Sequence, residues 1–398
     1  MKNHFYAIKK RIFSDTYNSL IFHKNRKREV YLVGGYIRDA LQGITSYDRD
    51  FIVSGDLASF VNAIQEYIGG TIVKFKSEDT IRIAFKEGFT FDFSKLQGTL
   101  EHDLSKRDFT INAIALSPER GIIDIYNGLE DLKKKRIRSL SKKNIFSDPL
   151  RMLRAYRFAA ELNGSIDPIT HKTIKLLHNK IKKVSPERIT LELFNLLNSD
   201  HSAKYLKEAL IDGILTKILS IPYNMLERNI REIYKFEKAL QNGIIRKIKV
   251  LLKKIFSQNL TYKGLLCMEI LLYGSIDTKR MRISNVIDKR IELSHKGIMA
   301  LRERRLAEKD KLFDIFINSQ AASLDILIIR GRLDLMKEYQ RFKRIWKDGF
   351  LSSENIIKIS RINPGPELGN VILKLKKAQF EKKVKSKKQA IQFLLSQP

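Results

Sequence analysis

The spacing of apolar residues along this chain changes near Ile145. Before that point they fall in short runs such as Tyr31-Leu32-Val33 and Phe51-Ile52-Val53, bounded by Gly, Asp and Lys, which is how strands buried in a sheet read. The segments Ile81–Phe85 and Phe89–Phe93 flank Lys86-Glu87-Gly88 and predict a hairpin. Beyond Ile145 the period is helical. Leu150, Leu153, Phe158 and Leu162 share one face, and Asn229–Phe256 and Arg280–Phe313 mix aliphatics with Lys and Arg, as helices packing one face do. The chain breaks at Asn363-Pro364-Gly365-Pro366 and restarts as a helix, and Lys9, Lys10 and Arg11 among Phe5, Ile8 and Ile12 predict a short amphipathic N-terminal helix packed on the first domain. The pattern therefore predicts an α+β chain, a mixed sheet with helices to about residue 145 followed by helices alone.

Composition narrows the class. With 43% hydrophobic and 30% charged residues over 398 positions, the chain predicts a soluble globular protein of several modules, and no apolar run is expected to reach the length of a membrane span. The single cysteine, Cys267, excludes an internal disulfide and fits a reducing cytosol, so the expected location is cytoplasmic. Seven histidines are scattered without zinc-ligand spacing. The excess of 75 Lys and Arg over 44 Asp and Glu, a net charge of +31, exceeds what solubility needs and points to a polyanionic partner.

The chemistry concentrates in residues 32–53. Gly34 and Gly35 end an apolar strand and precede a helical stretch, Tyr36 to Leu41, so backbone N–H groups can approach phosphate oxygens at a helix N-terminus. Arg38, in the first turn, can grip a triphosphate with two N–H groups. Asp48 and Asp50 open the next strand, where a period of two points both carboxylates to one face. Two carboxylates there repel unless a hard cation bridges them, and Mg²⁺ takes one or two carboxylates plus phosphates. Asp92 is a charge inside the apolar run Phe89–Phe93; its burial without a partner is costly, so a metal partner is expected. It is the candidate to complete the site and accept the proton of an attacking 3′-hydroxyl. Asp148, Arg151, Arg154 and Arg157 form a polar stripe on the helix after Ile145.

These motifs stand in one order with Lys106-Arg107-Asp108-Phe109-Thr110-Ile111-Asn112-Ala113, Asp124-Ile125-Tyr126-Asn127-Gly128, Asp148-Pro149-Leu150-Arg151-Met152-Leu153-Arg154 and Ser185-Pro186-Glu187-Arg188. Together they resemble the class II tRNA nucleotidyltransferase and poly(A) polymerase family, from Tyr31 to Leu193. The resemblance implies a polymerase-beta-like head over residues 1–145, a helical neck with the base-reading element over 146–210, a helical body over 211–340 and a basic helical tail over 341–398. It implies that Gly34, Gly35 and Arg38 hold the triphosphate, that Asp48 and Asp50 hold two Mg²⁺ ions, that Arg107 and Asp108 contact the sugar, and that Asp148 and Arg151 read the incoming base, with Arg154 and Arg157 beside them. Lys106 stands where the family has an arginine and is given no direct role. Ser147 stands where the family has a glutamate, removing a carboxylate that would brace Arg151. Asp148 can accept from the cytosine amino group while Arg151 donates to N3 and O2; uracil presents the opposite sense and leaves both side chains unpaired. His102-Asp103 is read as part of the acidic stretch before the sugar motif, not as a hydrolase metal pair.

Within that family the product varies: CC alone, full CCA, the final A, or poly(A). The resemblance links terminal A addition to a flexible loop between the third-carboxylate strand and the sugar motif. Here Ser94-Lys95-Leu96-Gln97-Gly98 alone separates Phe93 from Thr99. The expected activity is therefore addition of CC to the tRNA 3′ end from CTP, with a separate A-adding enzyme acting afterwards. CCA-adding, A-adding and poly(A) polymerase activities using ATP, and a catalytically inactive RNA-binding module, are the alternatives. Residues 361–398 carry nine Lys and Arg against two Glu, a net +7, which fits a tRNA-contacting tail.

Overall fold

The strand-like runs form one seven-stranded mixed sheet in the computed structural model, which describes residues 10–23, 28–75, 79–241, 248–274, 281–302 and 312–396. Its strands are β1 (Val30–Val33), β2 (Arg49–Val53), β3 (Thr71–Lys74), β4 (Thr80–Ala84), β5 (Thr90–Lys95), β6 (Ala115–Ser117) and β7 (Gly121–Ile123), in the order β3-β4-β5-β2-β1-β6-β7. Only β2 and β5 run parallel; the other neighbours are antiparallel, and the expected hairpin is β4–β5.

Alternation assigns each face of the sheet a task. Phe51 and Val53 of β2, Phe91 and Phe93 of β5 and Ile81 and Ile83 of β4 are buried with Phe60, Val61 and Ile64 of the Leu57–Ile68 helix. Phe51 and Phe93 stack with ring centroids 5.2 Å apart. Burying one such side chain contributes roughly 1.5–3 kcal/mol. The opposite face packs Tyr31, Val33 and Ile52 against Leu100 and Leu104. By the same period of two, Asp50 shares that second face with Ile52. Register places Asp50 opposite Val33 on one side and Asp92 on the other, and Asp92 opposite Arg82.

Residues 1–219 and 220–398 are separate compact units. In the first, the helix Leu150–Leu162 is buried along most of its length and packs on the helices Pro186–Asn198 and Ser202–Ile211. It ends at Asn163 in the left-handed region, φ 46°. Gly164 follows, where an added Cβ would lie 1.9 Å from the Lys135 carbonyl oxygen; this close approach lets Ser165–Ile166 form a short parallel ladder with Arg136–Ile137. The second unit is helical around Phe313, Phe316, Phe342 and Phe380, with one two-stranded ladder, Ile255–Ser257 with Leu260–Thr261. These two ladders are the departures from an all-helical reading beyond Ile145. The helix predicted after the proline-glycine break is Pro366–Phe380, capped at Gly365 with proline in its first turn.

Two other expectations need comment. Most of the N-terminal segment lies outside the described residues; residues 10–14 are helical and Ile12 is buried in the sheet core. Leu312–Ile329 is, by length and composition, apolar enough to cross a membrane, contrary to the sequence expectation. It is bent by the turn Gln320–Ala322 and 61% buried within the second unit, where Phe313 and Phe316 fill the core.

Candidate active site

The Gly-Gly turn leaves β1 toward the polar stripe of the sheet. Gly34 has φ +80°, and its N–H donates to the Ile114 carbonyl at 3.1 Å. An added Cβ would stand 2.4 Å from Nη1 of Arg107 and 3.1 Å from Oδ2 of Asp50, so the backbone conformation requires glycine and a side chain here would push the Arg107 guanidinium aside. Gly35 opens the helix Gly35–Leu41, and Arg38 in that helix donates to Asp39 Oδ1 through Nε and Nη2 (2.9 and 2.7 Å) and to Asn112 Oδ1 through Nη1 at 2.6 Å. Its guanidinium carbon lies 4.8 Å from the centre of the Phe158 ring. Arg38 is thus held in place before any ligand arrives.

The carboxylates meet on β2 and β5. Asp50 and Asp92 are paired in register, and Asp50 keeps 49% of its side chain exposed with Arg107 Nη1 3.8 Å away. The Asp50 pKa is raised: loss of hydration contributes most, and repulsion from Asp92 and Asp48 adds to it against the pull of Arg107 and Arg82. Asp48 precedes β2 rather than lying within it, and its Oδ1 accepts from the N–H and hydroxyl of Thr90 at 2.7 and 3.2 Å. Where the sequence led to the expectation of a metal partner for Asp92, the described residues give it an arginine. Asp92 is half-buried and held by Arg82, with Nε to Oδ1 at 2.6 Å and Nη2 to Oδ2 at 2.8 Å. Arg82 sits between Ile81 and Ile83, so its alternation onto the polar face was readable, but its partner was not.

Behind the carboxylates runs a chain of charge. Asp108 is buried; Oδ1 accepts from Phe109 N–H and Asn112 Nδ2, and Oδ2 accepts from Arg154 Nε and Nη2 at 2.8 and 2.7 Å. Burial works to raise the Asp108 pKa, but Arg154, Asn112 and the Phe109 N–H outweigh it and hold it below the usual carboxylate value. Arg154 also donates to Glu192 Oε1 at 3.0 Å, Arg157 Nε lies 2.7 Å from Glu192 Oε2, and both guanidiniums sit over Phe158. Arg154 and Arg157 were read as nucleotide contacts; they line the cleft while already paired beneath it. Asn112, Phe158 and Glu192 were missed. Asn112 stood inside the quoted sugar motif, whereas Glu192 carried no signal beyond being four residues past Arg188.

Asp148 and Arg151, the pair expected to read the base, are also held. Asp148 Oδ2 accepts from Arg188 Nη2 at 2.8 Å, and Asp148 Oδ1 from the Leu150 N–H at 3.3 Å. Arg151 donates to three carbonyls: Lys106 at 2.9 Å, and Arg107 and Asn144 at 3.3 Å each. These carbonyls supply the brace that Ser147 does not; the Ser147 hydroxyl instead donates to Asn144 O at 3.0 Å. Burial lowers the Arg151 pKa. His102 and Asp103 serve the local turn: the His102 N–H donates to Thr99 Oγ1 and Asp103 accepts from Gln97 N–H.

A cavity of about 410 Å³ opens among Gly35, Arg38, Asp50, Arg107, Asp108, Asn112, Asp148, Arg151, Arg154, Arg157, Phe158 and Arg188. Six arginines face three aspartates there, a surplus that suits a polyanion. Gly34, Asp48 and Asp92 stand outside this lining, Gly34 touching it through Arg107 and Asp50.

Comparison with known proteins follows the same residues. Residues 30–98 and 80–138 match the family described as the Poly A polymerase head domain, and residues 165–223 match the probable RNA and SrmB-binding site of polymerase A. A CC-adding tRNA nucleotidyltransferase of Synechocystis is 40% identical over 46% of this chain, which spans 45% of that relative's length. A CC-adding tRNA nucleotidyltransferase of Geobacter sulfurreducens is 27% identical over 92% of this chain and 91% of its own. The Thermotoga maritima CCA-adding enzyme, solved in complex with tRNA, superposes with a TM-score of 0.75 over 98% of this chain and 97% of its own at 20% identity, a likeness of fold.

Proposed function

This chain belongs to the poly(A) polymerase and tRNA nucleotidyltransferase family, and from that premise we propose that it adds two cytidines to the tRNA 3′ end, using CTP and no nucleic-acid template. Arg38 and the Gly34-Gly35 turn hold the triphosphate, Arg107 and Asp108 the sugar, and Asp148 and Arg151 the cytosine edge. The 3′-hydroxyl oxygen attacks the α-phosphorus, its proton passes to Asp92, and the bond from that phosphorus to the β-phosphate's bridging oxygen breaks to release pyrophosphate.

The donors suit Mg²⁺. Among the described residues no three His, Cys, Asp or Glu side chains converge as a closed metal cage. Asp48 and Asp50 would supply hard oxygens that triphosphate oxygens complete, and Asp50 lies opposite Asp92 in register, so carboxylates gather where a cation would sit. Asp48 and Asp50 would hold the two Mg²⁺ ions, which would supply activation of the attacking oxygen and neutralisation of the leaving one.

The observation that carries the restriction to CC is the pinned connection after β5. Leu96 N–H donates to Val53 O at 2.8 Å, Gln97 N–H to Asp103 Oδ2 at 3.1 Å, and Gln97 Nε2 to Asp79 at 3.1 Å. With Arg151 gripped by carbonyls and Asp148 by Arg188, the pair is fixed for one base, and the five residues between Phe93 and Thr99 are too few to retune it for adenine. A separate enzyme then supplies the terminal A. The basic tail contributes tRNA affinity, and the single cysteine, the buried Cys267, fits a cytoplasmic setting.

Asp48→Ala and Asp50→Ala test the reading. Each should abolish transfer of labelled CMP from CTP to tRNA lacking its CCA end, with tRNA affinity unchanged within about twofold, since the basic surfaces carry affinity. Transfer at a near-normal rate by either variant removes the metal assignment.

A further inference from the structure

Asp92 has been given the proton of the attacking hydroxyl, yet both of its oxygens are engaged by Arg82, a residue the reaction so far leaves idle. The pair is a two-point fork, 2.6 Å and 2.8 Å, built by register: Arg82 of β4 lies directly opposite Asp92 of β5, which lies opposite Asp50 of β2. The guanidinium stands 5.3 Å from the centre of the Phe75 ring, which backs it. Across the polar face two carboxylates thus each have a guanidinium, Arg82 for Asp92 and Arg107 for Asp50, while Asp48 is held by the neutral donors of Thr90.

We propose, building on the functional reading above, that Arg82 is a positioning residue that locks Asp92 as the proton acceptor and keeps it out of the metal's ligand set. A carboxylate offers about four lone-pair sites, and a bidentate arginine uses one on each oxygen. One site per oxygen is left for the hydroxyl proton. Turning Asp92 to chelate a cation with both oxygens would break two charge-assisted bonds at once, and a cation on a remaining site would compete with the hydroxyl proton for it, whereas Asp48 and Asp50 have no such fork to give up. Lysine at this position keeps the charge but cannot fix the carboxylate plane.

The test compares wild type, Arg82→Met and Arg82→Lys on tRNA lacking CCA. Mn²⁺ binding is counted by electron paramagnetic resonance in the presence of a non-hydrolysable CTP analogue. Arg82→Met should lower kcat at least about tenfold with the KM for CTP within about twofold, the signature of an interaction that matters in the transition state alone. Arg82→Lys should recover part of the loss, and Mn²⁺ stoichiometry should be the same in all three proteins and in Asp92→Asn. A wild-type kcat in Arg82→Met overturns the proposal, as does a raised KM at unchanged kcat, which would make Arg82 a phosphate contact. Loss of a Mn²⁺ ion in Asp92→Asn overturns it too. If Arg82→Met lacks a folded circular-dichroism spectrum, Arg82→Lys decides, and an unchanged kcat there is fatal. A wild-type protein that transfers no CMP to any RNA sinks the functional reading itself, whereas active wild type with unaffected variants sinks this inference alone.

Discussion

The carboxylate of Asp148 accepts a hydrogen bond of 2.8 Å from Arg188, forty residues further along the chain. That bond holds the acceptor of the proposed base-reading pair while three carbonyls hold its donor, Arg151. A site with both partners fixed rejects a base that leaves them unpaired. Arg188→Ala should therefore narrow the ratio of kcat/KM for CTP over UTP by about tenfold, and Arg151→Ala by more. If selectivity survives in both and RNA affinity alone falls, these arginines are phosphate contacts.

Gly34→Ala should be the most damaging small change at the turn. The new methyl would meet Arg107 Nη1 at 2.4 Å, at a φ of +80°. With ψ −135° this backbone lies outside the left-handed helical region, and a residue with a Cβ there is strained by roughly 1–3 kcal/mol. Displacing Arg107 from the sugar should lower CMP transfer by about a hundredfold. Activity close to wild type, in a steady-state assay, would contradict the close packing of the turn.

Glu192 ties Arg154 and Arg157 beneath the cleft. Glu192→Gln removes one of the two carboxylates on each guanidinium, with Asp108 remaining on Arg154 and Glu161 on Arg157, and should cost about 1.5 kcal/mol in urea unfolding. A change under about 0.5 kcal/mol would show that solvent already compensates them.

The sequence made the strand runs, the hairpin, the helical remainder and the cleft motifs legible, because each rests on local periodicity or on a cluster of residues close in the chain. What it did not show are partners brought together by register and helix packing. Arg82 meets Asp92 only because β4 and β5 align in one register, and Glu192 meets Arg154 only because two helices pack side by side. The brace on Arg151 is made of backbone carbonyls, which have no sequence signature. Ser147 looked like a weakness for that reason.

In the second unit, Glu269 is fully buried beside Asp325, with Ser294 donating to it at 2.8 Å. Burial first, and the Asp325 charge next, raise its pKa well above the ordinary glutamate value. A carboxyl that binds its proton more tightly when folded supports the fold fully below its unfolded pKa, and that support is lost as pH rises through the folded pKa. Glu269→Gln removes this titration. Its melting temperature should stay near wild type at about pH 4 and exceed it at about pH 8. Equal melting temperatures at both would mean that Glu269 stays unperturbed.

The most direct test of the central claim is the sequence of the product. The purified protein should be incubated with tRNA lacking its 3′ end and given CTP alone, ATP alone, or both, and the new 3′ termini read by sequencing. The account predicts termini ending in CC with CTP alone and the same termini when ATP is added, with no product from ATP alone. Efficient formation of CCA by the protein on its own would contradict it and make this chain a complete CCA-adding enzyme.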